Sequence, residues 1–134
     1  MYVHDDDMHN NYIMSRGATM LQLSANDIVT YQTVDAGNYG STDGLINAQG
    51  FLYSPLGGAA AAVAWGVNAP AATVGPVTAV PFNTINVNLQ GVWNTTTNTV
   101  TIPVAGTYFI DLTVAVQGSA SSCGGNGNNG MYYI

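Results

Sequence analysis

Near one end of the chain stands His-Asp-Asp-Asp-Met-His, with His4, Asp5, Asp6, Asp7 and His9 as the side chains able to hold a cation. Consecutive aspartates supply hard oxygen ligands that suit Ca²⁺, and the two imidazoles add a softer alternative. The spacing is not the alternating Asp-x-Asp-x-Asp-Gly of an EF-hand loop, and the plain alternative is a solvated acidic segment. Cys123 is the only cysteine, so no intrachain disulfide can form. It is either a buried thiol or a bond to another chain, and its setting in Ser-Cys-Gly-Gly-Asn-Gly, which reads as an exposed loop, suits the interchain bond. Asn94-Thr95-Thr96 fits the N-glycosylation pattern within a predicted turn, the setting a secreted protein would need.

Catalytic patterns are missing. There is no Gly-x-Ser-x-Gly elbow, and nothing in the spacing pairs Cys123 with His4 or His9 as nucleophile and base. The glycine-rich tract 118–130 lacks the Gly-Lys-Ser/Thr ending of a phosphate-binding loop. Asp111 is the one acid inside a strong strand pattern, and it falls on the polar face, so no pair of buried carboxylates for glycoside hydrolysis is expected. The reading is therefore non-enzymatic, with no cofactor expected and Ca²⁺ as the one ion the acidic cluster would suit. The eight tyrosines and two tryptophans read as core packing, and the sharper alternative is sugar binding by exposed aromatics beside amides.

Charged residues make up 6% of the 134, against roughly 25% in ordinary soluble domains. Lysine is absent, Arg16 is the single basic side chain, and the net charge is −6. Nothing here could neutralise a row of phosphates, which argues against nucleic acid and against an anionic membrane surface. The longest apolar run, residues 56–67, is too short to span a bilayer. Residues 1–11 have neither the basic start nor the apolar run of a signal peptide, which suits a mature sequence or a piece of a larger one. A surface clad in Asn, Thr, Ser, Gln and Gly suits extracellular or cell-surface proteins packed against copies of themselves.

Period-2 alternation dominates the chain. In residues 84–90, Ile85, Val87 and Leu89 share one face while Asn86, Asn88 and Gln90 share the other. In residues 106–118, Tyr108, Ile110, Leu112, Val114 and Val116 share a face, and Phe109, Asp111, Thr113, Ala115 and Gln117 share its opposite. A helix, with its period of 3.6, could not sort these sets. Further strands are expected at 27–34, 51–54, 62–67, 77–82, 92–94, 99–104 and 131–134, with turns between them. Many short strands with regular turns imply one all-β domain, an antiparallel sandwich or jelly roll.

The stretch from Asn94 to Val114, which contains Asn-Thr-Val-Thr-Ile-Pro-Val-Ala-Gly-Thr-Tyr, resembles the first half of a C1q/TNF-like domain. That family joins a strand ending Pro-Val-x-Gly to a tyrosine-rich strand, here Pro103, Val104, Gly106 and Tyr108. Trp93 sits at an upstream aromatic position, while Ile110 stands where the family often has Phe. The second half of such a domain comes first in the chain. Leu23, Asp27 and Val29 resemble its Leu-x-x-Gly-Asp-x-Val segment, with Asn26 replacing Gly. Gly50 and Leu52 resemble its closing strand, with Ala48 in place of an aromatic. Residues 1–55 thus resemble the C-terminal half, 62–134 the N-terminal half, and 56–61 a Gly/Ala linker, together one domain equivalent.

Three arrangements fit this reversed order. The chain is a circular permutant closed on itself, one repeat of a tandem array cut mid-domain, or a unit whose 1–55 completes 62–134 of a neighbour. Domain termini are often close together, which allows the first. Unpaired strand edges invite the last, and a head-to-tail contact that does not close gives a filament. The expected function is that of an extracellular structural protein assembling through strand edges, with copies of itself as partner. The alternative is a C1q-like trimeric recognition head that binds a glycan or receptor, with calcium as an accessory.

Overall fold

The computed structural model describes residues 12–33, 37–39, 46–58, 62–70, 72–74, 79–117 and 132–133. Among them there is no helix, and the elements in chain order are β1 (Tyr12–Leu23), β2 (Ile28–Thr30), β3 (Gln32–Thr33), β4 (Gly37–Tyr39), β5 (Ile46–Pro55), β6 (Ala64–Ala69), β7 (Ala72–Val74), β8 (Thr84–Leu89), β9 (Trp93–Asn94), β10 (Thr99–Thr101), β11 (Gly106–Gln117) and β12 (Tyr132–Tyr133). All pairings are antiparallel. The fold is all-β, with a seven-stranded sheet and a three-stranded sheet, as in a β-sandwich.

β11 is the centre of the large sheet. β1 runs along one of its edges, from Tyr12 opposite Gln117 to Leu23 opposite Gly106. β5 runs along the other, followed outward by β6 and β8. β4 meets the end of β11 at Tyr39–Val116 and pairs with β7, so β4 prolongs the line of β5 and β7 that of β6. The small sheet is ordered β2-β10-β9, and β12 pairs with β3. Strands before and after residues 56–61 therefore pair within one chain, β1 and β5 with β11, and β2 with β10.

The alternation of β11 decides where the core lies. Tyr108, Ile110, Leu112 and Val114 are between 0% and 3% exposed. They join one apolar cluster with Val29 of β2, Trp93 of β9 and Val100 of β10. Trp65 of β6 lies in that cluster, and its indole N–H donates to the Tyr31 hydroxyl at 2.9 Å. Burial pushes the Tyr31 phenol well above its usual range, with the bond from Trp65 opposing in part. Phe82 meets Trp93 edge to face at 5.6 Å and Tyr31 at 5.7 Å.

The Pro-Val-x-Gly segment closes on itself. Tyr108 donates its hydroxyl to the Val104 carbonyl at 2.7 Å, and Leu56 N–H bonds to the Ala105 carbonyl at 2.8 Å. A Cβ at Gly106 would stand 2.6 Å from the Ser54 carbonyl oxygen, so a side chain there would force the two strands apart.

Several boundaries differ from those expected. The 12-residue β1 was not anticipated, because its sequence alternates poorly. The expected strand at 27–34 is split at Tyr31 into β2, on the small sheet, and β3. In 77–82 the described part makes only a bridge from Ala79 to Gln32, although Val80 and Phe82 are buried. The strand at 99–104 ends at Thr101, before Pro103, which has no N–H to give a ladder. Gly57 and Gly58 take positive φ in the turn after β5, and residues 59–61 lie outside the described chain.

Gly50, on the inward face of β5, lets the Trp65 ring lie against the backbone. A Cβ there would be 2.3 Å from Trp65 Cζ2. Gly50→Ala is expected to lower stability by about 1–3 kcal/mol through overpacking, read as an earlier urea midpoint. A midpoint unchanged from wild type would show that Trp65 does not seat on Gly50.

Candidate functional site

If one face of β11 fills the core, the other must face outward, and it carries Phe109, Asp111 and Thr113. Register assigns their neighbours. One row across the sheet reads Met20, Phe109, Phe51, Ala64, Leu89. The next reads Ala18, Asp111, Gln49, Gly66, Val87, and a third begins Arg16, Thr113, Asn47, Asn68. One outward face thus joins an apolar row to polar rows drawn from strands far apart in sequence.

Asp111 is 1% exposed although it lies on this face. The polar face expected for it is the face it occupies, but it is buried there. Arg16 covers it with a bidentate contact, Nε to Oδ1 at 3.0 Å and Nη2 to Oδ2 at 2.7 Å. Gln49 Nε2 donates to Oδ2 at 2.9 Å from the opposite side. Burial alone would push the Asp111 carboxyl up. The bonds from Arg16 and Gln49, with the guanidinium charge, outweigh it and hold the carboxyl below its ordinary value. The same contact raises the Arg16 guanidinium. The chain's only arginine, in a sequence without lysine, therefore joins β1 to β11. Beside this cluster Asn47 Nδ2 donates to Asn68 Oδ1 at 2.6 Å.

The apolar row is open to solvent. Met20, Phe51 and Leu89 are 44–47% exposed, and the Phe51 and Phe109 rings stand 5.3 Å apart. Val87 extends the patch along β8, while a register shift between β6 and β8 sets Ile85 opposite Val67 of the core. The apolar face of β8 thus points outward, because its other face is engaged by Trp93: Asn88 Oδ1 accepts from the Trp93 N–H at 2.9 Å, and Nδ2 donates to the Trp93 carbonyl. Gly66 brings no side chain, and a hollow of about 280 Å³ opens among Gln49, Phe51, Phe109, Asn86 and Val87. The hollow is lined by amides and apolar groups, with Asp111 already committed to Arg16. This is a surface for packing and hydrogen bonding, with no nucleophile–base pair in it.

Of the residues singled out in the sequence, Asn94 lies within the described chain. It is exposed at the β9–β10 hairpin, where its Oδ1 accepts from the Thr96 N–H at 2.9 Å and so leaves Nδ2 free. It belongs to the small sheet, away from the outward face of the large one. His4, Asp5, Asp6, Asp7, His9, Cys123 and the tract 118–130 lie outside the described residues. Among the described residues no three His, Cys, Asp or Glu side chains gather to hold a metal ion, and no helix is long and apolar enough to cross a membrane. Arg16 and Gln49 were not anticipated as partners of Asp111. The available signal was charge arithmetic, one strand-borne acid and one arginine with no lysine in the whole chain. No protein-family model, curated protein or solved structure matches the chain.

The Arg16–Asp111 pair makes stability depend on acid. Asp111 titrates lower in the folded chain, so its contribution is complete above the unfolded carboxylate value of about 3.9 and is lost as pH falls through the lower folded value. Arg16→Gln leaves burial to dominate, so Asp111 should titrate higher and acid unfolding should begin at a higher pH, followed by circular dichroism. An unchanged acid midpoint would mean that the guanidinium does not support the carboxylate.

Proposed function

We propose that this protein is a non-enzymatic, extracellular structural module that assembles with copies of itself into a filament or surface fibre. The observation that carries the reading is the exposed row Met20–Phe109–Phe51–Ala64–Leu89 with Val87 beside it. A contiguous apolar patch of this kind on a chain so poor in charge marks an association surface. The flanks of the large sheet support it. Among the described residues β1 pairs only with β11 and β8 only with β6, so both present unpaired backbone to a neighbour. Two different flanks on one unit allow contacts that do not close on themselves, and such contacts build filaments. The finer fold within this reading is a jelly roll of C1q/TNF type with its halves permuted, supported by the Pro103–Tyr108 closure and the intrachain pairing across residues 56–61.

A second reading draws on the same row. An apolar face in the middle of a sheet, rather than at its edge, also suits closed packing of a few copies, as in a trimeric recognition head. Glycans and calcium belong to that reading, through the amides of the hollow and the acidic cluster at His4–His9.

Phe51→Asp places a charge in the centre of the row without touching the core. Association should weaken at least tenfold, about 1.4 kcal/mol, in sedimentation velocity, while the thermal midpoint of the fold stays close to that of wild type. Undiminished assembly by this variant would remove the face from the contact.

A further inference from the structure

Self-association through the large sheet has a specific device available to it, and the inference depends on that reading of the function. We propose that β1 is an exchangeable strand, and that the edge of β11 it covers also accepts β1 from a second copy of this chain.

Three observations carry the inference. First, every contact that holds β1 can be supplied by another copy. Among the described residues its ladder runs to β11 alone, over the full register from Tyr12–Gln117 to Leu23–Gly106. Its inward side chains Leu21 and Leu23 are only partly buried against the core, while Arg16, Ala18, Met20 and Gln22 are exposed. β1 thus lies across the core margin and is not threaded through it. Secondly, the latch is specific to β1. The Asp111 carboxylate is buried, and it is paired with Arg16, the only arginine or lysine in the sequence. A β11 edge vacated by its own β1 leaves that carboxylate uncompensated, and only another β1 restores the bidentate contact. The other polar group bonded to Asp111 through its side chain is Gln49, which carries no charge.

Thirdly, the connection from β1 to β2 has the character of a hinge. It is the short turn at 24–27, exposed throughout, and Asn26 holds φ +74° without being glycine. The turn is closed by Asp27 N–H to the Ser24 carbonyl at 3.1 Å and by Ser24 N–H to Asp27 Oδ2 at 2.8 Å. Opening it releases the left-handed backbone at Asn26 and costs these two exposed hydrogen bonds together with the one from the Asn26 N–H to the Ile102 carbonyl at 2.7 Å. On the β2 side of the hinge, Ile102 N–H bonds to the Asp27 carbonyl at 2.9 Å, which anchors β2 in place. Exchange therefore moves β1 and leaves the sandwich behind it intact. Reciprocal exchange closes a dimer, and one-way exchange continues as an open chain of copies.

Gln22 and Thr107 face each other across the β1–β11 register, so a disulfide between them records whose β1 is docked. Gln22→Cys/Thr107→Cys in a Cys123→Ser background is refolded across a range of concentrations, oxidised, and run on a denaturing gel without reductant. Exchange predicts covalent dimers and higher ladders that grow at least severalfold with folding concentration, and neither single-cysteine control forms them. Asn26→Gly removes the backbone penalty of the closed turn and should reduce the interchain fraction. Only intrachain-linked monomers at every concentration would overturn the exchange. Light scattering of the same samples keeps the two ideas apart: assemblies built from intrachain-linked monomers defeat strand exchange alone, whereas no assemblies at any concentration defeat the structural-module reading as well. If the double-cysteine protein does not refold, the Asn26→Gly and wild-type chains compared by sedimentation after refolding decide the matter. An equal dimer fraction in both counts against exchange.

Discussion

A chain with one arginine and no lysine has buried a carboxylate in the middle of its largest sheet. Asp111 can occupy that position because Arg16 and Gln49 reach it from the strands on either side. Removing one partner of such a buried pair costs more than the pair itself contributes, since a bare charge is left behind. The pair therefore acts less as a source of stability than as a specification. It fixes which strand lies beside β11, and in which register, because a one-residue slip would turn Arg16 to the other face. The order β1-β11-β5 follows from it.

With that order fixed, the two faces of β11 divide the work. Its inward face, from Tyr108 to Val114, supplies the centre of the core against the small sheet. Its outward face sets an apolar row beside a polar one, and the polar row is cross-linked by Arg16–Asp111–Gln49 and Asn47–Asn68. The charges of the polar row are thus paired with each other, while the apolar row remains uncovered. The chain as a whole carries a net charge of −6, but the charged residues in these outward rows, Arg16 and Asp111, cancel, so little like-charge repulsion arises between two such faces. Apolar exposure and weak repulsion act in the same direction, towards association.

The sequence made some of this legible and concealed the rest for identifiable reasons. The β11 strand was readable because its alternation is strict, and Tyr108, Ile110, Leu112 and Val114 lie in the core as that alternation requires. β1 was not, because Arg16-Gly17-Ala18-Thr19 mixes polar and small residues on both faces and gives no period. β8 shows a different limit. Alternation separates Val87 and Leu89 from Asn88 but does not say which set is inside, and the decision fell to Asn88, whose amide bonds the Trp93 backbone; a register shift that no alternation announces then sets Ile85 opposite Val67 and brings Asn86 to the hollow beside Val87. Asp111 was assigned to the correct side of its strand, yet its burial depends on a partner 95 residues away, which no local pattern carries. Gly106 has a physical reason of its own, the close approach of its Cα to the Ser54 carbonyl, which no local pattern carries. The candidate site was less visible than the fold, since it consists of register between distant strands.

The claim on which the account rests is that the outward face of the large sheet is a contact between copies. Negative-stain electron microscopy of the purified chain, with intact mass spectrometry of the same material, tests it most directly. The account predicts filaments or ordered oligomers whose subunits have the mass of the 134-residue chain. Isolated single-domain particles that stay monomeric at the highest attainable concentration would contradict it.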